Sequence, residues 1–176
     1  MAREMHLDMG QVTWSVTIYL VVISGLILLF GRLGDLIGKT KIFNYGSLLF
    51  TFGSLLAGIN LGLHFLLFAR IIQAIGASMT MSNSFGITSQ LFEPALRARA
   101  MSIMSMFVSL GSIAGPAIGG FILQIASWSY IFWINVPLGI IAYLVGRKAL
   151  PGDEGSGSVK DADLLGATQM FLTIVA

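Results

Sequence analysis

Two stretches of the chain, residues 14–30 and 42–59, carry no charged side chain, and only eleven residues separate them. An apolar run of about 17 or more residues is long enough to cross a bilayer core as a helix. Such a pair excludes most folds, because in lipid every backbone N–H and C=O has to be bonded within the protein. The separating segment, residues 31–41, reads Gly-Arg-Leu-Gly-Asp-Leu-Ile-Gly-Lys-Thr-Lys. It reads as a tight turn between two spans. Its bases Arg32, Lys39 and Lys41 assign it to the cytoplasmic side, where loops between spans carry an excess of Lys and Arg. Asp35 is the single acid among three bases and is expected to have a partner.

The pattern repeats. Further apolar runs cover residues 65–91 and 101–123, and another begins at an aromatic cluster, Trp128, Tyr130 and Trp133, and runs to about Gly146. Hydrophobic residues make up 56% of the chain and charged ones 10%, against roughly 25% charged in soluble domains. The fold class is therefore all-α and integral to a membrane, with five complete transmembrane helices plus the start of a sixth. The net charge is +2, but eight of the ten Lys and Arg lie in the loops at 31–41, 92–99 and 147–163. Topology accounts for them, and no nucleic-acid partner is expected. There is no cysteine, and His6 and His64 are far apart. Neither a thiol chemistry nor a metal site nor a cofactor is expected.

The termini read differently. Residues 1–10 lack the parts of a cleaved signal peptide, so the first span serves as an uncleaved insertion signal with the start of the chain outside. Trp14 and Tyr19 suit the interface at its head. Residues 147–163 form a polar, Gly/Ser-rich cytoplasmic linker. Residues 164–176 open an apolar run too short to span, so the chain is expected to stop inside a helix.

Arg70 is the one charge within a membrane run. A charge at that depth usually faces a bundle interior or watery cavity; the plainer alternative is that it snorkels to the outer interface. Arg70, Gln73, Ala77, Thr80, Ser84 and Thr88 follow steps of three or four, a polar lane about 27 Å long at 1.5 Å per residue. Gly46 and Gly53, like Ser47 and Ser54, are seven apart and make one small-residue face. Ser102, Ser105, Ser109 and Ser112 hydroxylate one face of the next run. Gly111, Gly115 and Gly119, with Ser112, Pro116 and Gly120 beside them, make a groove for close helix contact, and Pro116 should bend the helix. Glu93 is a candidate partner for Arg32 or Lys39, and Asn135 and Pro137 put a polar group and a kink inside the fifth run.

Several of these stretches resemble the major facilitator superfamily. Gly31, Leu33, Asp35, Gly38 and Lys39 match its loop between helices two and three, whereas Leu36 and Thr40 depart from positions that are usually basic. Leu66, Arg70, Gln73 and Gly76 resemble its fourth-helix pattern, with Ala74 in place of a glycine. Gly111, Gly115, Pro116, Gly119 and Gly120 match the fifth-helix antiporter pattern in full. Asn135, Pro137 and Trp128, and Asp163 with Gly166, resemble the fourteen-span multidrug branch. The resemblance implies a partial N-terminal transporter bundle over residues 1–146, formed by family helices two to six.

It further implies exchange of protons for a small organic compound by alternating access in the cell membrane, with Arg70 and Gln73 in proton coupling. The partners implied are the lipid bilayer, protons, the substrate, and the missing transporter half or a second copy. No acidic residue lies within the complete spans, so Arg70 would tune a carboxylate elsewhere rather than carry the proton. The alternative is a membrane scaffold or assembly subunit without transport of its own. An enzyme is not expected, since no catalytic residue set lies in the spans.

Overall fold

The computed structural model describes residues 9–150, Gly152 and Thr173. The expectations for residues 1–8, for most of the 147–163 linker and for the run at 164–176 lie outside the described residues. Within residues 9–150 six helices follow in order: α1 (Met9–Ile37), α2 (Lys39–Ala57), α3 (Leu63–Leu91), α4 (Pro94–Ile125), α5 (Ser129–Trp133) and α6 (Asn135–Ala149). Among the described residues four stretches are long and apolar enough to cross a membrane, namely Thr13–Ile37, Leu63–Leu91, Pro94–Ile125 and Ser129–Ala149. The remaining expected span, at residues 42–59, corresponds to α2, which is shorter and opens on Lys39 and Lys41. α2 packs against α1, α3, α5 and α6. A helix enclosed by other helices tolerates small and polar residues, and Gly46, Ser47, Gly53 and Ser54 are all buried on it.

Segment 31–41 is not an open turn. α1 runs on to Ile37 and α2 starts at Lys39, so Gly38 alone breaks the helix. The Gly38 N–H donates to the Gly34 carbonyl at 2.9 Å, and the Ile42 N–H donates to the Gly38 carbonyl at 3.1 Å. Hydrogen bonding thus continues up to both sides of a one-residue corner. The cost falls on Gly38, whose φ of 121° lies where residues with a Cβ are strained.

α3 is the hub. It meets α2 along the small-residue face expected from sequence: a Cβ on Gly46 would lie 2.6 Å from the Met79 Cβ, and one on Gly53 2.5 Å from the Gln73 backbone nitrogen. Gly76 faces the Phe50 backbone from the other side of the same seam. α1 joins α3 through Asn83, whose side-chain amide donates to the Phe30 carbonyl at 3.1 Å while its oxygen rests on Gly34. α6 joins α2 through Gly139 against Thr51 and Gly146 against Asn44. At one end Ala57, Leu66, Ala69, Trp128 and Phe132 form the apolar core cluster.

α4 stands apart. None of its residues is buried, and nothing lies within 4 Å of a Cβ placed at Gly111, Gly115, Gly119 or Gly120. The expectation that two backbones meet in this groove is therefore not met among the described residues. A stripe of glycines permits close approach but does not supply the helix that approaches. Pro116 lies inside one unbroken α4. In the fifth run α5 passes into α6 at Ile134, whose φ of -61° and ψ of -26° stay helical. Pro137 has no N–H for the Trp133 carbonyl, and its ring crowds that carbonyl, so one helical hydrogen bond is missing at this junction.

This contrast gives a direct expectation. Gly76→Leu inserts a side chain into the Phe50 backbone, and overpacking a tight seam costs about 1–3 kcal/mol. Gly115→Leu meets open space and should leave the unfolding midpoint of the chain in detergent micelles unchanged. Equal destabilisation by the two substitutions would show that the α4 face is occupied.

Candidate functional site: an arginine held between helices

Arg70 is the eighth residue of α3, about 10 Å along the helix from its start. Its side chain is directed into the bundle. One guanidinium nitrogen, Nη1, donates to the Gln73 Oε1 at 2.8 Å, one helical turn on. The Gln73 Nε2 in turn donates to the Ser54 Oγ of α2 at 2.8 Å, and the Ser54 hydroxyl donates to the Phe50 carbonyl at 2.7 Å. Every donor in this chain points the same way, from the charge to a backbone carbonyl. Such a chain fixes the guanidinium but offers no route for a proton, because it ends on an amide. Gly53 lets the Gln73 backbone close on α2, and the next residue, Ser54, receives its side chain.

Two rings complete the setting. The Arg70 guanidinium carbon lies 4.8 Å from the centroid of the Tyr19 ring on α1 and 4.9 Å from that of the Phe132 ring on α5. A desolvated cation over an aromatic face gains about 2 kcal/mol, and a hydrogen bond to a charged group about 1.5–3 kcal/mol. The two rings together therefore hold Arg70 at least as firmly as Gln73 does, which disfavours snorkelling. Tyr19 is thus turned inward rather than serving as an interface anchor, whereas Trp14 is 64% exposed. Among the described residues no carboxylate pairs with Arg70, and its Nε is buried without a hydrogen-bond partner.

The rest of the expected polar lane is less open to transport chemistry. The Thr80, Ser84 and Thr88 hydroxyls each donate to a carbonyl one turn back in α3. Ser102, Ser109 and Ser112 do the same in α4, on an exposed face. Hydroxyls engaged in this way do not form a continuous wire. Asn83, which sequence reasoning did not single out, is fully buried and has the longer reach.

At the Gly38 corner, Lys39 pairs with Asp35 across the break, so Asp35 has the partner expected of it. The Lys39 stem lies over Gly86 of α3. Glu93 sits exposed just ahead of α4 and makes no ion pair among the described residues, so its expected pairing with Arg32 or Lys39 is not formed. Gly31 lies near Ser82, so Gly31 and Lys39 rest on α3, while Asp35 and Gly38 belong to the corner itself.

A family model described as Major Facilitator Superfamily matches residues 1–169. The chain belongs to that superfamily. It is 40% identical over 150 residues to the riboflavin transporter RibZ of Clostridioides difficile (strain 630), covering 85% of this chain and 33% of the relative. It is 31% identical over 173 residues to the multidrug export protein EmrB of Escherichia coli (strain K12), covering 98% and 34%. Among solved structures it is similar to the peptide transporter POT in complex with sulfate. The TM-score is 0.77 at 21% identity, over 96% of this chain and 36% of that one.

The chain thus spans about a third of the length of the relatives it matches. The superfamily consists of membrane transporters rather than enzymes, which agrees with the helical architecture. Relatives with different stated cargoes share the fold.

Proposed function

We propose that the chain forms part of the N-terminal half of a proton-coupled efflux transporter for drugs or other small organic compounds. It would act in the cell membrane by alternating access. The observation that carries the reading is Arg70: a charge inside a span, pinned by Gln73 and two rings, without a carboxylate among the described residues. In this reading Arg70 holds down the pKa of a carboxylate supplied by the remainder of the transporter or by a second copy, and Gln73 keeps it aimed. The open face of Gly111, Gly115, Pro116, Gly119 and Gly120 is the surface on which that remainder moves. The corner of Gly31, Asp35, Gly38 and Lys39 fixes one end of the bundle during the movement. The multidrug relative EmrB supports drug efflux. A riboflavin transporter among the relatives favours a second reading, a vitamin-like planar cargo.

The test is to reconstitute the transporter that contains this chain into liposomes and impose a proton gradient. A fluorescent lipophilic cation and riboflavin are offered separately. We expect the cation to move with the gradient and to stop when a protonophore is added. Movement that ignores the protonophore would remove proton coupling, and movement of riboflavin alone would replace drug efflux by the second reading.

A further inference from the structure

We propose that Tyr19 and Phe132 are positioning residues that clamp the Arg70 guanidinium through their ring faces. The inference rests on the coupling role given to Arg70 above. Each ring centroid lies within 5 Å of the guanidinium carbon, and the rings come from different helices, α1 and α5. Phe132 is itself held, edge-on to the buried Trp128 at 5.8 Å and 86°, within the core cluster. Tyr19 belongs to α1, which Asn83 ties to α3 further along through the Phe30 carbonyl. Gln73 takes Nη1 and reaches α2 through Ser54. Four helices therefore meet at one charge.

The chemistry of the two kinds of contact differs. A ring face attracts a cation without using its N–H donors, whereas Gln73 occupies one. The clamp therefore fixes the guanidinium yet leaves the Nε–H, buried and without a hydrogen-bond partner, available to an acceptor. A carboxylate or second glutamine in place of either ring would consume a donor. A movement of α1 or α5 against α3 changes a ring-to-cation distance directly, so the clamp makes the orientation of Arg70 depend on helix position.

The first arm of the test reads geometry without transport. The full 176-residue chain, labelled with ¹⁵N-arginine, is placed in micelles, and the Arg70 Nε–H resonance is identified by its loss in Arg70→Lys. It should be displaced by ring currents and exchange slowly compared with the other five arginines. Tyr19→Leu and Phe132→Leu should each reduce the displacement, while Tyr19→Phe should keep it. An Arg70 signal that coincides with those of exposed arginines would overturn the clamp.

The second arm reads coupling, in the reconstituted transporter, with phenylalanines of increasing ring fluorination at position 132. Fluorine drains the ring face of charge at nearly constant shape. Proton-driven efflux should fall stepwise by about tenfold over the series, with its pH profile displaced, while Tyr19→Phe stays near wild type. A flat series would overturn the positioning role. A wild-type transporter without proton dependence would overturn the proposed function and not the clamp, which the resonance alone decides.

Discussion

Reconstituted without a second polypeptide, residues 1–176 are expected to give no proton-driven efflux above that of empty liposomes. Alternating access requires two bundles that rock about a central site, and this chain spans about a third of its relatives. The helices are not equally supported: α1, α2 and α3 pack on one another and α6 packs on α2, whereas α4 has no buried residue. Its face of glycines and serines is suited to a neighbouring helix, and polar groups turned to lipid are costly unless something covers them. A second copy can cover that face, but two identical partial bundles do not reproduce the two different halves of a transporter. Co-reconstitution with the remainder of the transporter should restore gradient-driven efflux of the fluorescent cation. Efflux by the purified chain alone would overturn the expectation. A complemented preparation that folds yet stays inactive would count against the part assigned to this chain.

The spans were legible because their signal is local. Long uncharged runs and the positions of the bases place α1, α3 and α4 without any knowledge of contacts. The packing face of α2 was legible too, though not its partner, since Gly46 and Gly53, seven apart, must share a face, and the structure buries both. The Gly38 corner was not. A sequence of glycines and charges reads alike as an open turn or as two helices meeting at one residue, and the choice depends on Gly34 and Lys39 finding Asn83 and Gly86 on α3. The Gly111–Gly120 groove was legible as a capacity for contact, but a stripe of small residues does not specify its occupant. Most of the Arg70 site escaped for a similar reason. Gln73 follows at three residues and was found, whereas Ser54, Tyr19 and Phe132 reach Arg70 only through tertiary packing. Their residue types gave no hint, because serines and aromatic rings are ordinary in membrane helices.

Arg70→Ala should reduce proton-driven efflux by about a hundredfold or more, and Arg70→Lys by nearly as much. The alanine form loses the contact with both rings and leaves the Gln73 Oε1 without its donor in a buried site. Loss of one charged hydrogen bond and one desolvated ring contact already amounts to roughly 3.5 kcal/mol, more than a hundredfold at about 1.4 kcal/mol per decade. The same loss lowers stability, so reduced activity in this variant alone does not separate coupling from folding. The lysine form does. It keeps the positive charge that topology needs, but an ammonium is a point charge without the planar fork of donors. It reaches Gln73 or sits over one ring, and does not also present a second, fixed donor edge. If Arg70 serves only insertion, the lysine form should transport as wild type. If it orients a carboxylate, both variants should reach the membrane, bind substrate and fail to respond to the proton gradient. Equal gradient-driven rates in wild type, Arg70→Lys and Arg70→Ala, measured on matched amounts of reconstituted protein, would remove Arg70 from proton coupling.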